Sequence, residues 1–536
     1  MQLLQMNEKC PRCGFTQNPI PFSASRDLSS SGAHVIDLLR SGESSLTVDL
    51  PSLDDSSQRL ERRLSTLDSK LSELEAVADR LRAEQRQIRS ELDAQRSLMA
   101  PVRRIPAEIL LHIFELVSMD ETCTLNTENA PWVFGHVCCF WRTVAITSPV
   151  LWSTIRTHLD LQVHPYKIPL ALQRHLDLSS ECPLHLDIDL YRQADSDTIR
   201  QVVALIVRHS LRWETLKITL SPSTLSMFSR VSDRLPRLRY LAVFVKNYYG
   251  DGAIIPEPYP FFFIAPALVE AKIHCIPVFD LPVPLPQLHV FDGYFRNPSE
   301  VHDLLRQAPN LVKFAFSSMV SSRDTNPSPI FHEYLRSITC TSHELKILSA
   351  GTFPALEEID GKESKWDDEA VDTINHIAER SCCSIRTFHA GSILSFTRFA
   401  TLLSIRSSLT VLSMTMGGWN VSNSSMPHLA IYAALLISET QPYLLPCLRE
   451  LVLKEFSGYN CKNTAPFTCP EFYEMVQSRR TPPAPVSRLG ALTLVLRCLE
   501  YYDLKLKDSR FMRLWAMEEE GLVVHIVPPW EELVDG

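Results

Sequence analysis

The sequence predicts a mixed α/β chain in three successive parts. These are a long N-terminal coiled-coil helix, a small three-helix module, and a curved α/β stack that takes up the remainder. Three observations carry that prediction. Leucines recur at a spacing of four then three between residues 53 and 99. Two dense apolar segments that read as helical flank a polar stretch near residue 120. From residue 184 onward, strand-like alternation recurs with helical segments between the strands. At 536 residues, and at roughly 100–200 residues per domain, the chain holds three or four units or one long array with attachments.

Residues 1–50 carry no sustained period and are punctuated by Ser, Pro and Gly, so they read as disordered. One turn there, Cys10-Pro-Arg-Cys13-Gly14, has the form of half a zinc site. Structural zinc takes four ligands. The next cysteine is Cys123 and the nearby histidine is His34, so no metal and no cofactor is assigned.

Residues 51–100 form the coiled-coil segment. The seam runs Leu53, Ser57, Leu60, Leu64, Leu67, Leu71, Leu74, Ala78, Leu81, Gln85, Ile88, Leu92, Gln95 and Met99. Apolar residues repeating in this way ask for a partner helix, because a two-in-seven stripe is too narrow for an ordinary core. The segment can join two copies of the chain, or it can be a solitary charged helix lying on the main body. The mixed-sign charges beside the seam read as a solvated face.

Pro101 ends that helix, and residues 101–156 form the helical module. Pro106 suits a first helical turn because its missing N–H would be unpaired there anyway. Glu108 follows where the helix dipole favours a carboxylate. Ile109, Leu110, Leu111, Ile113, Phe114, Leu116 and Val117 then cover almost every face. A second helix is predicted from Trp132 to Thr147, with Phe134, Val137, Cys138, Trp141, Val144 and Ala145 on one side, before the break at Ser148-Pro149. About 55 residues bury a core only marginally, so the surplus apolar surface of the first helix points to a partner chain.

Three ordered blocks in this module resemble the F-box motif. They are Ile105, Pro106, Glu108, Ile109, Leu110, Ile113 and Phe114; then Val137, Cys138, Trp141 and Arg142; then Pro149, Leu151 and Trp152. The layout is also similar to fungal F-box proteins with an N-terminal coiled coil and a divergent leucine-rich C-terminal region. The resemblance implies docking on a Skp-type adaptor, and through it on a cullin. The implied adaptor-binding residues are Ile105, Pro106, Glu108, Ile109, Leu110, Ile113, Phe114, Val137, Cys138, Trp141 and Trp152. The chain departs from the family pattern in loop 119–131, where Asp120, Glu121 and Glu128 fill a longer connection.

Residues 157–536 are the predicted stack. Leu184, Leu186, Ile188 and Leu190 alternate with His185, Asp187 and Asp189, which marks a half-buried strand. A helix at 195–210 and a strand through Leu216, Ile218 and Leu220 follow, the repeating unit of an α/β stack. Eight further runs, beginning at Leu235, Leu285, Ala308, Phe353, Ser384, Ser408, Leu445 and Arg488, mostly give the Leu-x-x-Leu-x-Leu pattern of a leucine-rich-repeat strand. Helices are predicted between them at 298–308, 367–381 and 469–480. A final helix, a Gly521 cap and a strand would close the stack. The spacing is irregular, and Lys246 and Phe456 occupy positions where that repeat favours Asn or Cys, so an ordinary α/β domain is the alternative. Such a stack presents a continuous concave surface suited to binding protein. Tyr248, Tyr249 and Tyr259 are candidate aromatics on its rim, although their long, Pro-rich loop reads first as a solvated excursion.

A net charge of −9 leaves no basic footprint for nucleic acid. No apolar run approaches the roughly 20 residues that span a bilayer, so the expected location is the cytoplasm, the nucleus or both. No phosphate loop, nucleophile elbow or paired-histidine metal helix occurs, and no catalytic residue is assigned. The reading is therefore a non-enzymatic substrate-recognition subunit of an SCF-type ubiquitin ligase, carrying an unidentified protein substrate. The alternative is a coiled-coil and leucine-rich scaffold with no ligase role.

Overall fold

The structure, a computed structural model, describes residues 40, 50–119, 121–157, 167–191, 196–246, 258–318, 329–361, 364, 366, 368–391, 408–416, 427–438, 443–455, 467, 469–496 and 511–527. The Cys10–Cys13 turn, Asp120, Tyr248, Tyr249, Phe456 and nearly all of the N-terminal segment read as disordered lie outside them. The chain divides into two units, Met1–Ile105 and Pro106–Gly536.

In the first unit, helix α1 spans Leu50–Met99, about 75 Å at 1.5 Å per residue. No Gly or Pro interrupts it after Pro51, which sits in the first turn where proline is tolerated. Side chains one turn apart brace it, among them Arg82–Asp79 at 2.9 Å and Gln58–Asp54 at 3.0 Å. Pro101 stops it, and a 3-10 turn over Pro101–Arg104 follows, tied back by Arg103 donating to the Ser97 carbonyl at 2.7 Å.

The second unit is built on a parallel sheet. Its strands are β1 (Thr154–Thr157), β2 (Leu184–Asp189), β3 (Trp213–Leu220), β4 (Tyr240–Val245), β5 (Glu270–Pro277), β6 (Val290–Phe295) and β7 (Lys313–Ser318). After a separate two-stranded pair, β8 (Ile330–Phe331) with β10 (Gly351–Thr352), come β9 (Ser337–Thr339), β11 (Glu358–Asp360), β12 (Thr387–Ala390), β13 (Val411–Met416), β14 (Glu450–Glu455), β15 (Ala491–Val495) and β16 (Val523–Val527). Among the described residues the main sheet has fourteen strands in strict chain order, so each strand pairs with the one before it.

Register shows why these residues make strands. One cross-strand row runs Ile155, Leu186, Leu216, Leu241, Ala271, Phe291, Phe314, Ile338, Ile359, Phe388, Leu412, Leu451, Leu492 and Val524. Every member is buried. Successive members lie 20 to 41 residues apart, for example Ala271 to Phe291 and Leu451 to Leu492. Side chains alternate across a strand, so the neighbouring row (Asp187, Lys217, Ala242, Lys272, Asp292 onward) faces the other way. The buried rows and the apolar sides of the intervening helices form one continuous core from Leu125 to Val524. Helix Ser196–Arg208 contributes Val202, Val203, Ile206 and Val207 to it, and helix Asp368–Ser381 contributes Val371, Ile374 and Ile377. Gly293 stands in the next buried row because a Cβ there would lie 2.4 Å from the Phe291 ring and 2.7 Å from Val278.

Buried cations support the C-terminal end. Arg479 donates to the carbonyls of Leu435 (2.6 Å), Leu444 (2.8 Å) and Leu445 (3.2 Å). Burial holds its guanidinium down to about 10. Arg480 donates to Leu489 and Glu520 carbonyls. The last described elements are those the sequence predicts, helix Met512–Glu519, Gly521 at φ +89° and strand β16.

Candidate functional site

The helical segment at the start of the second unit carries the predicted docking residues. Helix α2 spans Ala107–Met119, and its first turn forms where Leu110 N–H donates to the Pro106 carbonyl at 3.0 Å. Leu110 and Phe114 point inward. Phe114 stacks on Phe134 at 4.0 Å between ring centroids and meets Trp141 edge-on at 5.0 Å, the second a favourable aromatic geometry.

The second predicted helix is two pieces. Helix α3 is Phe134–Val137 and helix α4 is Cys139–Ile146. Cys138 lies between them in extended conformation, φ −161° and ψ 171°, and its sulfur accepts the Trp141 backbone N–H. Cys138 thus caps a new helix instead of continuing the old one. The break moves Val137 off the inner side on which regular helical spacing put it, and it is exposed.

Loop 119–131, read as a polar and lengthened connection, is anchored over its described residues 121–131. Thr124 N–H donates to the Arg156 carbonyl at 3.0 Å, and Cys123 bridges Thr157 of β1. The Arg156 guanidinium donates to the carbonyls of Ser118, Met119 and Glu121 at 3.0–3.2 Å. The Thr124 carbonyl takes Trp132 Nε1 at 2.8 Å and His175 Nε2 at 2.9 Å. Trp132, Trp152 and His175 form a triangle of rings with centroids 4.9–5.3 Å apart. Burial pushes the His175 imidazole down to about 4, outweighing the hydrogen bond to Thr124, so this ring is neutral.

The predicted site residues therefore separate by role. Leu110, Phe114 and Trp152 are interior; Trp152 donates to the Ala145 carbonyl at 2.7 Å. They shape the face and do not present it. Ile109 and Ile113 are 56% and 39% exposed, and Pro106, Glu108 and Val137 are exposed as well. Cys138 and Trp141 are half-buried. Ile105 is half-buried and ends the first unit. Eight other exposed apolar residues of 101–156 are not among the assigned site residues, Leu116, Val117, Met119, Phe140 and Val150 among them. Their apolar character was the available signal. This much aliphatic side chain exposed on a short segment makes the face a candidate docking surface.

A second candidate surface is the polar face of the sheet. Lys217 pairs with Asp187 at 3.2 Å, His274 with Asp292 at 3.2 Å, and His389 with Glu358 at 3.7 Å. His274 also stacks on Phe244 at 4.8 Å. Tyr259, expected on a rim, instead packs partly buried against the core beside Phe261. Among the described residues no group of three or more His, Cys, Asp or Glu could hold a metal ion, and no helix is long and apolar enough to cross a membrane. Comparison with family models finds no match to this chain, and comparison with curated proteins finds none either.

Proposed function

We propose that this chain is the substrate-recognition subunit of an SCF-type ubiquitin ligase. In this reading residues 101–156 are an F-box module that docks on a Skp-type adaptor, and 157–536 is a curved leucine-rich-repeat-like stack that holds a protein substrate. The observation that carries it is the exposed Ile109 and Ile113, set on the interior residues Leu110 and Phe114 at positions that resemble the motif. Burying large aliphatic side chains at roughly 1.5–3 kcal/mol each makes that face a sufficient anchor. The uninterrupted chain order of the sheet and the buried row that runs through all fourteen described strands support the repeat reading. Its mixed-sign polar face suits a protein partner better than a nucleic acid.

The subunit performs no chemistry itself. It raises the local concentration of substrate lysines beside the ligase, and proximity does the rest. It works in the cytoplasm or nucleus and needs no cofactor.

The test is co-purification of the full chain with a Skp-type adaptor, comparing wild type with Ile109→Asp plus Ile113→Asp. Both positions are exposed, so circular dichroism should show an intact fold. Retention by wild type and loss in the variant is the expected result. An intact wild-type chain that does not retain the adaptor overturns the proposal and leaves a coiled-coil scaffold.

A further inference from the structure

Helix α1 places its seam in water: Leu60, Leu64, Leu67, Leu71, Leu74, Leu81, Ile88 and Leu92 are 42–61% exposed. In heptad terms Leu64, Leu71, Ala78, Gln85 and Leu92 are a positions, and Leu60, Leu67, Leu74, Leu81 and Ile88 are d positions. The flanking charges are sorted by sign. The e positions read Asp54, Glu61, Asp68 and Glu75, then switch to Arg82, Arg89 and Arg96. The g positions read Arg63 and Lys70, then switch to Glu84 and Glu91. A merely solvated face has no reason to reverse both rows at the same level of the helix.

From this ordering we infer that α1 pairs with α1 of a second copy of this chain, parallel and in register. In that arrangement each g residue meets the e residue five positions later on the other copy. Arg63 meets Asp68, Lys70 meets Glu75, Glu84 meets Arg89, and Glu91 meets Arg96. All four charged pairs attract, twice over by symmetry. At the switch level the g position is Val77, an exposed apolar residue beside the small Ala78, so apolar cover continues where the charges change sign.

The polar seam residues choose the direction. In parallel, Gln85 faces Gln85 of the second copy and Gln95 faces Gln95, so each amide has a hydrogen-bonding partner. The antiparallel alignment sets Gln85 against Leu67 and Glu75 against Glu75. Most e and g charges attract in that alignment as well, but it leaves the Gln85 amide without a partner and adds a like-charge contact. This inference does not depend on adaptor docking.

The test uses the full chain and two charge variants, read by sedimentation equilibrium with circular dichroism as a fold check. Variant one is Glu84→Arg with Glu91→Arg. Variant two is Arg89→Glu with Arg96→Glu. Wild type should sediment at twice 60.9 kDa. Each variant alone should dissociate more readily, on the order of tenfold or more, because four attractive contacts become repulsive. The two variants mixed should restore wild-type dimerisation, since every altered g residue then meets an oppositely charged altered e residue and every native g residue meets a native e residue. In the antiparallel alignment Glu84 and Glu91 face Lys70 and Arg63, which neither variant changes, so mixing would restore nothing. A monomeric wild type, a dimer indifferent to both variants, or variants that fail to rescue each other would overturn the proposal.

Discussion

Helix α1 and the parallel sheet are both leucine-rich, yet they treat leucine in opposite ways. In the sheet, the row from Ile155 to Val524 is closed by strands before and after it and by helices over it, and each member is under one tenth exposed. In α1, seam leucines of the same chemistry are about half exposed. The difference is one of geometry. A strand in a chain-ordered sheet finds its neighbours a few tens of residues away along the same chain. A seam that repeats every 3.5 residues needs another helix at its side for its whole length. One pattern is satisfied within the chain, and the other stands exposed on a single copy, which is what the proposed pairing of α1 would cover.

The sharpest way to break that comparison is a charge in each place. Leu412→Asp puts a carboxylate into the sheet's buried row, where no partner is available, and should cost more than about 4 kcal/mol. Thermal melting should show that variant largely unfolded at 37 °C. Leu71→Asp on α1 should leave the melting of the sheet unit within about 0.5 kcal/mol, as an exposed substitution does. Its effect should fall on self-association instead. Comparable destabilisation by both would mean that the α1 seam is covered within one chain.

Next in size is Arg479. It satisfies three carbonyls from a buried position. Arg479→Met fills similar volume but takes its donor from all three carbonyls, of which only Leu445 is shown with another, the Leu448 N–H at 3.2 Å, and should cost roughly 3 kcal/mol. Denaturant titration would measure it. Arg488, which donates to the Glu520 carbonyl from an exposed position, serves as the control: Arg488→Met should cost well under about 1 kcal/mol.

Much of the sheet unit could be read in advance, and the failures have physical causes. Strands β2, β3, β4, β6, β7 and β11–β15 sit at the predicted runs because period-two alternation is visible wherever one face is polar. Strand β5 was missed because its row residue is Ala271 and its alternation breaks at Cys275, which adopts φ +63°, with a register shift before Pro277. Strand β9 is three residues long and β1 is half polar, so neither offers a period. With β1, β5 and β9 in place, the irregular repeat spacing narrows. The candidate docking face is less legible. When nearly every position of 109–117 is apolar, periodicity cannot say that Leu110 and Phe114 turn inward while Ile109 and Ile113 turn out. Nor does any propensity rule announce that Cys138 will stop one helix and cap the next.

The junction between the helical segment and β1 supplies the last and smallest effect, one set by pH. His175 is buried and neutral, its pKa held at about 4 against an ordinary value of 6.5. Above pH 6.5 neither the folded nor the unfolded state binds a proton here, so stability is at its full value. As pH falls from 6.5 toward 4 the unfolded chain takes up a proton that the folded chain refuses, and stability drops. The loss reaches about 3 kcal/mol at most for a shift of this size and levels off below pH 4. His175→Gln keeps a donor for the Thr124 carbonyl without a titrating ring, so it should flatten this part of the pH profile while costing about 1–2 kcal/mol at neutral pH. Melting of wild type and variant at pH 7, 6, 5 and 4.5 would decide it. Parallel decline of the two proteins would mean that carboxylates elsewhere set the acid limb, and that the Trp132–Trp152–His175 triangle holds the helical segment to the sheet without sensing pH.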